Sequence, residues 1–192
     1  MRVDGLQSIR TEHLVLRPLT RKDAAAMFRY RADPEVARYQ TWKARSLAEI
    51  EAFIERNAEC ADLAPGTWYQ IAIAEAADAL IGDIGIHVIE DERQIELGVT
   101  LAPAAQRRGL ATEALTALLD WAFCDLRAHR VFAAVDPRND RSIALMHRLH
   151  FRQEAHFRES LCIDGAWVDD MVFAMLRHDW QHGSADGRET RA

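Results

Sequence analysis

No run of about 18 apolar residues occurs in the 192-residue chain, so no segment is expected to cross a membrane as a helix. The opening stretch, residues 1–10, carries charge early and lacks the apolar centre of a signal sequence, and the expected location is the cytoplasm. Cysteine is scarce. The three present, Cys60, Cys124 and Cys162, are widely spaced and form no CxxC pair, which argues against a disulfide framework or a metal site and predicts buried, reduced thiols. Basic charge is short too: 24 Lys and Arg against 30 Asp and Glu leave a net charge of -6, which disfavours a nucleic-acid backbone as partner and suits a small molecule or a cationic acceptor. Two phosphate-binding signatures are missing, GxxxxGK[ST] and a GxGxxG between a strand and a helix. There is no internal repeat, low-complexity tract or evident linker, so one domain over residues 8–180 is expected, followed by a disordered polar tail from Gln181.

What is present is a 49 percent apolar content, enough for one sizeable core, arranged in alternating periods. Leu14 to Leu19 reads as a strand. Thr20 with Asp23 three residues later predicts a cap for a helix whose inward positions are Ala24, Met27, Phe28 and Arg31, ended by Asp33-Pro34. Ser46 with Glu49 predicts a second capping box, with Leu47, Ile50, Phe53, Ile54 and Ala58 at helical spacing to about Cys60. Residues 67–74, 79–89 and 94–101 read as an antiparallel meander. Residues 109–126 carry the strongest helical stripe, and Val131 to Val135 then supplies a strand parallel to the last of the meander, the helix being the crossover. A shorter helix over 141–149 and strands at 151–159 and 168–176, around an Asp164-Gly165 turn, complete the order. The class is α/β of the α+β type: a mixed, mostly antiparallel sheet of about seven strands flanked by helices.

The segment that carries chemistry is the strand Ile95 to Leu101, the loop Gln106-Arg107-Arg108-Gly109-Leu110-Ala111 and the helix that follows directly. A helix start offers unpaired N–H groups and a positive dipole end, so a phosphate there gains several hydrogen bonds at once. Gly109 lets the backbone approach, Arg107 and Arg108 add charge, and Thr112 adds a hydroxyl. By pattern alone the same residues also read as a solvated turn with a convenient cap.

These six residues match the Q/R-x-x-G-x-G/A signature of the GCN5-related N-acetyltransferases (GNAT). The wider order, from Leu14-Val15-Leu16-Arg17-Pro18 through Gly82-Asp83-Ile84-Gly85 and Glu96-Leu97-Gly98 to Asn139-Asp140-Arg141-Ser142, resembles the branch with the RimJ and RimL ribosomal-protein acetyltransferases. The resemblance implies the acyl-CoA N-acyltransferase fold, with two sheet strands splayed apart, and acetyl-CoA as co-substrate with no metal. It also implies transfer of acetyl to a primary amine, of a protein N-terminus or a small molecule, by direct attack in a ternary complex. Val99 and Leu101 would offer backbone groups to the pantetheine arm, and Gln106 to Thr112 would hold the pyrophosphate. Asn139 would bond near the thioester with Ser142 close to the sulfur.

An ammonium acceptor, with a reference pKa of about 10.4, must lose a proton before it attacks. Glu96 is the candidate base, although an isolated Glu in a strand also reads as an outward, solvated residue. The backbone N–H of Val99 would stabilise the oxyanion. Relatives often place a Tyr shortly after the Asn as general acid; Tyr30, Tyr39 and Tyr69 all lie far upstream, which leaves Ser142, His147 or water. Leu149-His150-Phe151 replaces the usual Leu-Gly-Phe; a Gly there would relieve a left-handed helix end, which His tolerates more than most residues at some cost, so the local geometry is left open. Tyr39, Trp42 and His87 are candidates for the acceptor pocket, each also readable as core, and Asn139 is also readable as a simple helix cap. A binding module of the same fold, holding acyl-CoA without turnover, is the competing reading. A monomer or a homodimer suits either.

Overall fold

The computed structural model describes residues 6, 8–60, 63–89 and 93–180; the tail from Gln181 lies outside them. One sheet of eight strands runs β1-β2-β3-β4-β5-β6-β8-β7. The strands are β1 (Ile9–Arg10), β2 (Leu14–Pro18), β3 (Trp68–Glu75), β4 (Leu80–Val88), β5 (Gln94–Leu101), β6 (Arg130–Val135), β7 (Arg152–Ile163) and β8 (Ala166–Leu176). The strand beyond the expected seven is β1, whose two residues are too few to show a period. Only β5 and β6 pair in parallel; every other neighbour is antiparallel. No helix among the described residues is long and apolar enough to cross a membrane.

Two helical layers cover the sheet. Ile71 and Ile73 of β3 join a core with Ile84, Ile86, Leu97, Ala114, Leu115 and Leu118, whereas Ala72 between them joins Leu19, Met27, Ile50 and Ile54. Strand alternation puts these two clusters on opposite faces. The first is closed by α4 (Leu110–Asp120) and α5 (Asp140–Arg148), the second by α1 (Ala24–Arg31) and α3 (Leu47–Glu59). Burying each Leu or Ile of these stripes contributes roughly 1.5–3 kcal/mol.

Both expected caps form. The Thr20 backbone N–H and hydroxyl donate to the Asp23 carboxylate at 2.8 and 2.9 Å, and Ser46 Oγ accepts from the Glu49 N–H at 3.2 Å. Several details differ from the pattern. Phe28 is half-buried and Ala58 exposed, while Tyr30 and Asn57 turn inward. Asp33-Pro34 stops α1 but also opens a short helix, α2 (Pro34–Ala37), because proline is preorganised for a first helical turn and Asp33 caps it. The stripe expected to run to Leu126 leaves α-geometry after Asp120 in a π turn over Trp121–Asp125. Cys60 is half-buried, and Cys124 and Cys162 are exposed; Ala122 and Phe123 beside Cys124 face inward while it faces out, and Cys162 lies on β7, where its neighbour Leu161 is exposed as well.

Arg31, read as inward, is 5% exposed and meets Asp83, which is fully buried. Tyr30 Oη donates to the same carboxylate at 2.6 Å and Gln70 Nε2 at 3.0 Å, so both buried charges are paired and hydrogen-bonded. Removing one partner would leave the other buried and uncompensated, at a cost of about 3–5 kcal/mol. The Arg31 guanidinium also reaches Gln40 Oε1 at 3.3 Å and lies 5.5 Å from the Trp42 ring, which ties the loop after α2 to the sheet.

Candidate active site

The sheet opens where its one parallel pair ends. β5 and β6 are partnered only from Gln94–Arg130 to Glu96–Phe132. Beyond that point β5 continues beside β4 as far as Leu101–Gly82, while β6 continues beside β8 as far as Val135–Met171. The two strands therefore diverge, and the β5 edge from Leu97 to Leu101 has no ladder partner on the β6 side among the described residues. At the mouth of this gap lies a cleft of about 490 Å³.

The loop 106–109 forms one wall. Arg107 and Gly109 both take positive φ, 62° and 80°, and Gly109 stands at the N-cap of α4 with no side chain capping it. The first intrahelical bond is Glu113 N–H to the Gly109 carbonyl, so the preceding N–H groups of the turn lack helical acceptors. Thr112 Oγ1 is buried beside them without a hydrogen-bond partner among the described residues. An orphaned hydroxyl and a free helix N-terminus lining the same cleft make a ready place for a phosphate oxygen. Gln106 braces the loop: its Nε2 donates to the Leu101 carbonyl at 3.1 Å and its Oε1 accepts from Arg141 at 2.8 Å. Arg108 turns away to Glu75 at 3.0 Å and does not line the cleft.

The opposite wall comes from the start of α5. Asn139 Oδ1 accepts from the Ser142 N–H at 3.2 Å, so Asn139 is the helix cap, with its amide nitrogen left as a donor. Asp136 is clasped by Arg138, and that contact holds the Asp136 carboxyl below its usual range. Arg38 and Arg138 lie 5.5 and 5.9 Å from the Tyr39 ring, which also faces the cleft. His150 takes the left-handed conformation, φ 61°, which settles the geometry at the position where relatives have glycine. His147 sets its ring edge-on against Phe173, 5.4 Å away, and is not among the cleft residues.

The cleft thus joins Tyr39, Val99, Leu101, Gln106, Arg107, Gly109, Leu110, Ala111, Thr112, Asn139 and Ser142. Glu96 and His87 are not among the cleft residues; they stand on the other face of the sheet from Ile95 and Leu97, directly across from each other in the β4–β5 pair. The His87 Nδ1 lies 3.4 Å from Glu96 Oε2, and its ring stacks on Trp68 at 5.0 Å. Asp170 lies near this pair: burial, and then the Glu96 carboxylate, push its carboxyl above the usual range. Trp42 is placed elsewhere, stacked on Phe53 at 4.8 Å in the second core.

A second, wider cleft of about 990 Å³ shares Arg107, Gly109, Thr112 and Arg148 with the first and adds Arg10 and Glu113. Burial would push the Glu113 carboxyl up, but the Thr11 hydroxyl and the His13 backbone and ring outweigh it and hold it low. Its charge is thereby committed to the β1–β2 turn rather than to the helix start. Among the described residues no cluster of three or more His, Cys, Asp or Glu could hold a metal ion. Sequence reasoning missed Arg138, Arg141 and Arg148 on the cleft walls; their one available signal was a second run of arginines flanking Asn139.

Residues 13–152 match the Acetyltransferase (GNAT) domain family, and the chain belongs to it. Among curated proteins it is 28% identical over 173 residues to the uncharacterized N-acetyltransferase YnaD of Bacillus subtilis, covering 90% of this chain and 98% of that one. A shorter match, 37% over 87 residues and 45% of each chain, is to the ribosomal protein uS5-alanine N-acetyltransferase of Escherichia coli. Among solved structures, the spermidine N-acetyltransferase of Vibrio cholerae, in complex with CoA and spermine, superposes with a TM-score of 0.77 at 22% identity over 89% of this chain and 99% of that one, a likeness of fold. The protein is an acyltransferase.

Proposed function

We propose that the protein moves an acetyl group from acetyl-CoA to a primary amine by direct attack in a ternary complex. The observation that carries this is the uncapped α4 start, with the orphaned Thr112 hydroxyl, opening into a cleft continuous with the β5–β6 gap. Acetyl-CoA supplies the thioester. Loop 106–112 takes its pyrophosphate through backbone N–H groups and Arg107, and the unpaired β5 edge at Val99 and Leu101 takes the pantetheine amides. Glu96 accepts the proton that the ammonium must lose, directly or through water. The Val99 N–H stabilises the charge that develops on the carbonyl oxygen as nitrogen adds and the carbon–sulfur bond breaks. Ser142, in the cleft, is better placed than His147 to return a proton to the thiolate.

For the acceptor, Tyr39 in the cleft and His87 beside Glu96 are the proposed contacts, while the packing of Trp42 against Phe53 favours a supporting role for it. The relatives' names point two ways, to a protein N-terminal amine and to a polyamine. Both acceptors are cationic, which agrees with the net charge of -6 and with the carboxylates Glu96 and Asp170 beside the gap. The test is calorimetric titration with acetyl-CoA, followed by thiol release with a panel of peptide and alkyl amines, on wild type and Glu96→Gln. The expected result is unchanged acetyl-CoA affinity with turnover reduced by about 10²–10⁴-fold in the variant. Wild-type binding without turnover on any amine would support the non-catalytic acyl-CoA module instead.

A further inference from the structure

Three glycines in the middle of β4 and β5 differ in why they are glycine. A Cβ on Gly82 would stand 2.3 Å from the Thr100 carbonyl, and one on Gly85 would stand 2.7 Å from Gln70 Oε1 and 3.0 Å from the Trp68 ring. Backbone excludes a side chain at Gly82, and at Gly85 one would have to displace the end of the Gln70 side chain and the Trp68 ring. Gly98 is different: a Cβ there meets nothing within 4 Å. Its φ lies outside the left-handed region, which Gly66, Gly109 and Gly165 occupy. Neither the backbone nor the packing of this chain therefore calls for glycine at position 98. Glycine nevertheless weakens a strand interior, and one found there commonly marks a place where a ligand or another backbone comes close. No other part of the described chain comes close.

The surroundings say what does. Gly98 faces Gly85 directly across the β4–β5 pair, so two adjacent positions carry no side chain, and the residue is exposed. On the same face of β5, Glu96 precedes it by two positions and Thr100 follows by two. Across the strand pair, Gln70 and Trp68 overhang Gly85, and Trp68 stacks on His87 beside Glu96. The result is a floor of bare backbone with a carboxylate at one end and an aromatic wall along one side, next to the Val99 N–H. Resting on the acetyl-transfer reading, we infer that Gly98 is a specificity-determining residue: it is the floor over which the acceptor amine approaches the thioester. Its missing side chain sets how much bulk the acceptor can carry beside its nitrogen.

Two ligands separate this inference from the reading it rests on: acetyl-CoA, and a bisubstrate analogue in which the CoA sulfur is joined through a –CH₂–CO– bridge to the α-amine of an alanyl peptide. Each is titrated calorimetrically into wild type, Gly98→Ala and Gly98→Leu, with thermal unfolding as the folding control. All three proteins should bind acetyl-CoA within about twofold of one another, because the pyrophosphate contacts are remote and the pantetheine contacts at Val99 and Leu101 are backbone groups, while a side chain at position 98 projects from the sheet face opposite to theirs. Wild type should bind the bisubstrate at least about tenfold more tightly than acetyl-CoA, the added contact being that of the acceptor. Gly98→Leu should lose that whole advantage and Gly98→Ala part of it. A Gly98→Leu or Gly98→Ala protein that keeps the full advantage overturns the inference, and so does a wild type that shows none. Absence of acetyl-CoA binding in a folded wild type would instead bring down the acetyl-transfer reading, and this inference with it.

Discussion

Two helices, α3 and α4, begin in opposite ways. At α3 the Ser46 hydroxyl accepts the Glu49 N–H while the Glu49 carboxylate reaches back to the Arg45 N–H at 2.8 Å, so side chains of the chain itself occupy this helix start. At α4 the N-cap is a left-handed glycine with no side chain to donate or accept, and the nearest acidic residue, Glu113, is drawn off to Thr11 and His13. One helix start is finished within the chain. The other is left for an external anion, and the side chains that could have filled it are occupied elsewhere. A helix N-terminus becomes a binding site by what is withheld from it as much as by its dipole.

The comparison is broken most directly by Gly109→Trp, which puts bulk at the open start and strains a φ of 80°. Calorimetry should show at least about a hundredfold loss of acetyl-CoA affinity in a protein that still unfolds cooperatively; the strain costs about 1–2 kcal/mol of stability. Next is the charged cap at Asp23, which Arg17 and Thr20 stabilise. Burial pushes its carboxyl up, but hydrogen bonds from Arg17 and Thr20 hold it below the ordinary value. A depressed folded-state pKa adds stability above the unfolded-state value of about 3.9, and that stability is lost as pH falls through the folded-state value. Asp23→Asn should therefore cost about 2 kcal/mol at pH 7 and flatten the acid limb of a stability–pH curve below about pH 4. Thr112→Val sharpens the contrast by removing the orphaned hydroxyl. Acetyl-CoA affinity should fall about tenfold while the denaturation midpoint holds or rises, since no internal bond is lost. Least is Ser46→Ala, which should cost about 1 kcal/mol in urea titration and leave acetyl-CoA affinity untouched.

The parts legible in the sequence are those governed by neighbours in the chain. The Ser46 and Thr20 caps, the meander and the crossover to β6 each depend on residues within one or two elements, and each formed as read. The loop 106–112 was legible for the same reason, because its glycine, arginines and following helix are contiguous. Illegible were Arg31 with Asp83, 52 residues apart, and Glu113 with His13, 100 apart, since no local period links such pairs. The exposure of Cys124 and Cys162 was misread because apolar neighbours say nothing about which way one side chain points in a π turn or a hairpin.

By itself the sequence determined the kinds of element, their order, their caps and the glycine-bearing loop that leads into α4, because hydrogen-bond geometry and side-chain period act over a single turn or strand. Only the tertiary structure decided where β5 parts from β6, which arginines line the cleft, that Arg108 goes to Glu75 rather than to the loop's anion site, and that a Cβ at Gly98 would meet nothing within 4 Å. Those outcomes depend on which distant segments share a place in space, and that is settled when the two cores close on opposite faces of the sheet.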